Sequence, residues 1–150
     1  MTFFRFLASG FGSGFFPVAP GTAGSLVALL IGAGLLHVSV WALLFAALLA
    51  IGIGLWAIRA ADCADDPGWV VIDEFAGQWI ALLGLARPSL MGLLAAFALF
   101  RFFDIAKPGP VAWADRRKDS VGVMGDDVIA GALAALVLFA ARALAPGLLD

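Results

Sequence analysis

WALLFAALLAIGIGLWAI, residues 41–58, runs for 18 residues without a charged side chain. At 1.5 Å rise per residue, a helix of this length covers about 27 Å, close to the roughly 30 Å hydrocarbon thickness of a bilayer. Gly52 and Gly54 leave room in it for another helix to approach. The same character continues outward. TAGSLVALLIGAGLL (22–36) precedes it, with a break at His37–Val40, and Thr22 stands where a helix N-cap is expected. A polar loop, RAADCADDPGW, leads into VVIDEFAGQWIALLGLA (70–86), which Arg87 and Pro88 end. SLMGLLAAFALF and, further on, DDVIAGALAALVLFAARAL (126–144) complete five apolar helical segments. The first, third and fourth are short for independent crossings. The expected fold is an all-α, integral-membrane helical bundle, some of its segments short or re-entrant, forming a single domain over residues 1–150.

Composition agrees. The 150 residues are 63% hydrophobic and 13% charged, with a mean hydropathy of +1.06, whereas soluble domains hold roughly 45–50% apolar residues. A net charge of −2 with intermixed acids and bases provides no phosphate-tracking stripe, so nucleic acid is not an expected partner. One cysteine, Cys63, excludes an internal disulfide and a multi-cysteine metal site; with no nearby histidine to activate it, it reads as a small apolar filler near a helix end. Residues 1–21 contain one arginine and a Gly/Pro-rich stretch. They fit neither a cleavable signal nor a continuous helix, and read as an interfacial or re-entrant lead-in.

The charge collects in residues 101–127, RFFDIAKPGPVAWADRRKDSVGVMGDD, which hold five cations and five carboxylates. If all five segments cross, one side receives Arg5, Arg59, Arg101, Lys107, Arg116, Arg117 and Lys118, and the other only Arg87 and Arg142. That asymmetry obeys the positive-inside rule for a cytoplasmic N-terminus. The same threading brings the Gly/Pro lead-in, the loop before Asp73 and the 101–127 stretch to one surface.

Each of these three segments has a chemical and a structural reading. The glycines of GFGSGFFPVAPGTAGS can present backbone N–H groups to an anion, with Thr22 and Ser25 in the following turn, or can serve only tight turns and close packing. Asp73 and Glu74 stand at a helix start, where one acid is often a cap; adjacent positions point about 100° apart, so both cannot be the same cap. Arg101, Asp104 and Lys107 fall near one face of a helix that must stop before Pro108, and an Arg101–Asp104 ion pair is the structural alternative. Asp126 and Asp127 are read as opening the last helix, where carboxylates suit the dipole. Together, Asp73, Glu74, Asp104, Asp126 and Asp127 exceed what capping needs. Oxygen donors without histidine or cysteine partners point to a hard cation, Mg²⁺. Beside Arg, Lys and a glycine-rich nest, such a cation suits phosphate chemistry, and at a membrane surface the phosphate belongs to a lipid.

The signatures of several other phosphate-transfer chemistries are missing, and the histidine placement disfavours another. The sole histidine, His37, falls on the opposite side. No DxDx[TV] stretch, no cysteine–arginine loop and no long Asp-rich motif of the CDP-alcohol phosphotransferases is present.

GFGSGFFPVAPGTAGSL (10–26), VVIDEFAGQWI (70–80) and FRFFDIAKPGPVAWADRRKDSVGVMGDDVIAG (100–131) closely resemble the bacterial phosphatidylglycerophosphatase A family, over about two-fifths of the chain. The resemblance implies a multi-pass enzyme of the bacterial inner membrane, its active site facing the cytoplasm. Such an enzyme uses Mg²⁺ to remove the terminal phosphate of phosphatidylglycerophosphate, giving phosphatidylglycerol. Carried over residue by residue, Asp73, Glu74, Asp104, Asp126 and Asp127 include the Mg²⁺ ligands and the group that orients or deprotonates water. Arg101 and Lys107 hold phosphate oxygens, and Thr22 and Ser25 complete the cradle. Attack by water is preferred over an aspartyl nucleophile. Asp115, Arg116 and Arg117 sit at the rim, where bases attract an anionic head group, and Asp119 is solvated. The reading from another class is a small proton- or cation-coupled transporter subunit with the same carboxylates as its ion path; a purely structural assembly partner is the third.

Overall fold

The computed structural model describes residues 2–63 and 65–149. It is all-helical among the described residues: α1 (Phe3–Ala8), a 3-10 turn (Ser13–Phe15), α2 (Pro20–Val38), α3 (Val40–Ala60), α4 (Ile72–Leu82), α5 (Leu90–Ala106), α6 (Gly109–Asp115) and α7 (Ser120–Leu144). The five expected segments are α2, α3, α4, α5 and α7. The short α1 and α6 are additional. α2, α3 and α7 are long and apolar enough to cross a membrane. The first segment is therefore longer than its sequence run implied, whereas α4, at 11 residues, is too short.

The helix ends follow local chemistry. α2 begins at Pro20, not at Thr22: Ala19 takes a left-handed conformation (φ 49°) and Pro20 fills the first helical position, where no N–H is needed. Ser39 separates α2 from α3 and caps α3 through Trp41 N–H, 3.1 Å away. α5 stops at Ala106, with Lys107 left-handed (φ 46°) before Pro108. α7 starts at Ser120, capped by Asp119, which accepts from Gly122 N–H at 2.8 Å. Asp126 and Asp127 therefore lie about two turns inside α7 and do not open it, and Asp119 is a cap with an ion pair to Arg117.

α4 is the hub. Its flanks carry buried Phe75, Ala76, Trp79, Ala81 and Leu82, and α2, α3, α5 and α7 all pack on it. The fit is closest against α7. A Cβ on Gly131 would lie 2.2 Å from the Gly77 carbonyl oxygen, and one on Gly77 would lie 2.6 Å from the Asp127 carbonyl oxygen. α2 runs parallel to α4: Gly24 meets Val71, Gly32 meets Leu82, and between them the Trp79 indole donates to the Ala28 carbonyl at 2.8 Å. α4 and α5 form a hairpin that descends from the polar end and returns to it. At the opposite end, Arg142 donates to the Gly84 carbonyl at 3.0 Å.

The outward faces remain oily. Leu30, Phe45, Leu136 and Phe139, along the three long helices, are each more than 60% exposed, as expected of side chains that face lipid. At the polar end, Phe3, Phe16, Trp56, Phe102 and Trp113 are exposed as well, in the position of an interfacial aromatic belt. These features define a membrane protein. The lead-in supplies α1 and the 3-10 turn, tied back by Val71 N–H donating to the Ala8 carbonyl at 3.0 Å.

Candidate active site

At the polar end, the first turn of α4 and the second turn of α7 meet. Carboxylate oxygens of Asp73, Glu74 and Asp127 lie within 4.8 Å of one another. Asp73 and Asp127 are buried, and the Glu74 side chain is only 13% exposed. The glycine contact between α4 and α7 sets this spacing, because the carboxylates stand immediately beside it. Gly21, at the start of α2, closes the third side: a Cβ there would fall 2.3 Å from Glu74 Oε1 and 3.5 Å from Arg101 Nη1.

Arg101 on α5 is the cation nearest the cluster. Its Nη1 donates to Asp104 Oδ2 in a short ion pair and lies 4.0 Å from Glu74 Oε1. The anticipated Arg101–Asp104 bridge is thus formed, and it turns Arg101 toward the cluster. Four carboxylates against one guanidinium leave a strong negative surplus. Asp73 Oδ1, Glu74 Oε2, Arg101 Nε and both amide atoms of Gln78 are buried with no hydrogen-bond partner within the protein. Burial, and then the neighbouring Glu74 charge, pushes the Asp73 carboxyl well above the usual range. Glu74 rises to about 8, first by burial and then by the charge of Asp127.

The remaining predicted residues fall elsewhere. Asp126, next in sequence to Asp127, binds Lys107 Nζ at 2.6 Å, while Asp115 binds the same nitrogen at 2.7 Å. Lys107 is thereby held above its ordinary pKa by these two carboxylates, against the opposing effect of burial, and Asp115 is lowered by the hydrogen bond from Lys107. Asp66, in the loop before α4, borders this second acidic group; burial, then the charge of Asp126, raises it. Ser25 is fully buried and donates to the Gly21 carbonyl at 2.7 Å, while Thr22 lines an apolar groove on the outer side of α2. Cys63 is buried, as its sequence context implied.

Sequence reasoning missed two residues at this end, Asp66 and Gln78. For Gln78 a signal existed: it is the only side-chain amide in the chain, since no Asn and no other Gln occur, and it follows Glu74 by four positions on the same helical face.

Three hard oxygen donors within 4.8 Å of one another, beside Arg101 and the start of α2, are a set that could hold a metal ion. The comparisons with known proteins give the chain its family. The Phosphatidylglycerophosphatase A family profile matches residues 6–142. The chain is 42% identical over 139 residues to the Haemophilus influenzae protein named Phosphatidylglycerophosphatase A, covering 89% of this chain and 85% of that one. It is 38% identical over 137 residues to the Escherichia coli protein of the same name, covering 89% and 80%. A Bacteroides thetaiotaomicron protein, provisionally named a phosphatidylinositol-3-phosphatase, is 40% identical over 145 residues, with 91% of each chain covered. No solved structure matches. The chain belongs to the phosphatidylglycerophosphatase A family. It is a phosphoric monoester hydrolase of lipid metabolism, which sets the transporter reading aside.

Proposed function

We propose that this chain hydrolyses the terminal phosphate monoester of phosphatidylglycerophosphate with Mg²⁺ held by Asp73, Glu74 and Asp127, at the cytoplasmic face of a bacterial inner membrane. The observation that carries the reading is the carboxylate trio itself, with oxygens within 4.8 Å of one another and unpartnered atoms on Asp73 and Glu74. The donor set fits the ion: Mg²⁺ takes hard oxygen ligands and keeps several waters. When bound, it neutralises phosphoryl charge and acidifies water.

The protein's own groups do the rest. Arg101, oriented by Asp104, binds phosphate oxygens through its guanidinium. The start of α2 comes close to Glu74 and Arg101 at Gly21, and the dipole of a helix start favours an anion. Glu74, whose second oxygen Oε2 has no partner within the protein, accepts a proton from the attacking water. The water oxygen bonds to phosphorus, the bond from phosphorus to the glycerol oxygen breaks, and that oxygen leaves with the electron pair and takes a proton from solvent. Lys107, engaged by Asp115 and Asp126, braces the site from behind. The location of the cations supports the stated orientation, since seven of the nine basic residues belong to the segments at the site's end.

The test is phosphate release in detergent from phosphatidylglycerophosphate, phosphatidylinositol 3-phosphate and phosphatidic acid, each with Mg²⁺ and with EDTA. Release from phosphatidylglycerophosphate that leads the others and stops in EDTA is the expected result. Preference for phosphatidylinositol 3-phosphate would move the substrate assignment, and EDTA-resistant release would remove the metal.

A further inference from the structure

We propose that Gln78 is a positioning residue that holds the attacking water on the inner side of the carboxylate trio. The inference rests on the hydrolytic reading above. Gln78 is fully buried, and neither its Oε1 nor its Nε2 has a hydrogen-bond partner within the protein. A buried polar group left without a hydrogen bond loses its water partners and gains nothing in return, which is destabilising. Methionine or leucine would fill the same volume in this apolar helix without that cost. A group this costly to leave unsatisfied is satisfied by a molecule that is not part of the chain.

Its place in the fold identifies that molecule. Gln78 lies one helical turn inward of Glu74 on α4, and positions four apart on one face have Cβ atoms about 5–6 Å apart. Two side chains so spaced can share one bridging water. The other unpartnered buried atoms, Asp73 Oδ1, Glu74 Oε2 and Arg101 Nε, belong to the trio and to its arginine, so every such atom lies on α4 or α5. A water here accepts from Gln78 Nε2–H and donates to Gln78 Oε1 and Glu74 Oε2, which leaves one lone pair on its oxygen.

Direction follows from the reaction. In phosphoryl transfer the attacking and leaving oxygens lie in line across phosphorus. The leaving oxygen belongs to the head group and enters from the open polar end, so the attacking oxygen comes from the protein side. Gln78 is the uncharged hydrogen-bonding group on that side. A neutral amide orients the water without adding to the negative surplus of the trio and without competing for its proton.

The experiment compares the full-length chain with Gln78→Met in detergent, using phosphate release from phosphatidylglycerophosphate, thermal unfolding and Mn²⁺ titration followed by electron paramagnetic resonance. The expected outcome is a kcat at least tenfold lower, KM within about twofold, Mn²⁺ affinity unchanged and a thermal midpoint equal or higher. An unchanged kcat overturns the proposal. So does a loss of Mn²⁺ affinity, which would make Gln78 a ligand, or a loss of thermal stability that parallels the loss of kcat. A wild-type chain inactive on every lipid phosphate would sink the proposed function and this role together, whereas equally active wild type and Gln78→Met would sink the role of Gln78 alone.

Discussion

Replacing Gly131 with alanine should act on catalysis through a helix crossing. The added Cβ would stand 2.2 Å from the Gly77 carbonyl oxygen, where ordinary contact begins at 3.4 Å. Real Cβ atoms essentially never come closer than 3.0 Å, so α7 must move from α4 by at least about 0.8 Å, and by more to reach ordinary contact. The obstacle is backbone on both sides, so no side chain can swing away. Asp127 rides on α7 one turn before Gly131, while Asp73 and Glu74 ride on α4. A separation of about 1 Å therefore opens the trio directly, against metal–oxygen distances that Mg²⁺ holds near 2.0–2.1 Å. Displacements of that size cost on the order of 10²-fold in rate, and overpacking costs about 1–3 kcal/mol in stability. The assay is kcat for lipid-phosphate hydrolysis together with Mn²⁺ affinity and the thermal midpoint. Gly34→Ala serves as the control, because a Cβ there meets open space and alanine favours helix by about 0.5–1 kcal/mol. Full activity and unchanged Mn²⁺ affinity in Gly131→Ala would refute the claim that this crossing sets the site.

Three further outcomes follow from the same geometry. Trp79→Phe removes the indole donor to the Ala28 carbonyl and should lower stability by about 0.5–1.5 kcal/mol with kcat retained, as read by thermal unfolding and phosphate release; lost activity would place Trp79 in the site. Lys107→Met leaves Asp126 and Asp115 without their shared cation and should destabilise the fold by about 1–3 kcal/mol, with KM changed little. A large rise in KM at unchanged stability would return Lys107 to phosphate binding. The third concerns pH. The folded-state pKa of Glu74, about 8, lies above its ordinary value of 4.5. The stability this group contributes without metal is therefore complete below the ordinary value and is lost as pH rises toward 8. Divalent-cation affinity runs the other way, rising across that window as the proton leaves. A thermal midpoint in EDTA that climbs over this range would contradict the assignment.

Much of this arrangement is legible in the sequence because apolar runs and charge placement are one-dimensional signals. The run from Trp41 to Ile58 announces α3, and the collection of charge in 101–127 announces the polar end. What the sequence conceals depends on contacts between distant segments. Thr22 looked like a cap because hydroxyls usually are, yet Ala19 and Pro20 start α2 by backbone conformation alone. Pro108 reads as a helix stop, and α5 does end before it, but Gly109–Asp115 then forms a further short helix with Pro110 in its first turn, where proline costs little. Asp126 and Asp127 look equivalent as neighbours, but adjacent helical positions point about 100° apart. One meets Lys107 and the other meets Asp73 and Glu74, a division set by the Gly77–Gly131 crossing. Gln78 was hidden inside a helix-forming run, and only its burial without a partner makes it visible.

The most direct test of the carboxylate trio is Mg²⁺-dependent phosphate release from phosphatidylglycerophosphate by wild type and by Asp127→Asn. Both proteins are first shown to unfold cooperatively at similar temperatures. The account predicts wild-type release that saturates with Mg²⁺ and stops in EDTA, and a folded Asp127→Asn chain slower by at least two orders of magnitude with weakened Mn²⁺ binding. A folded Asp127→Asn chain with wild-type turnover and wild-type Mg²⁺ dependence would contradict it.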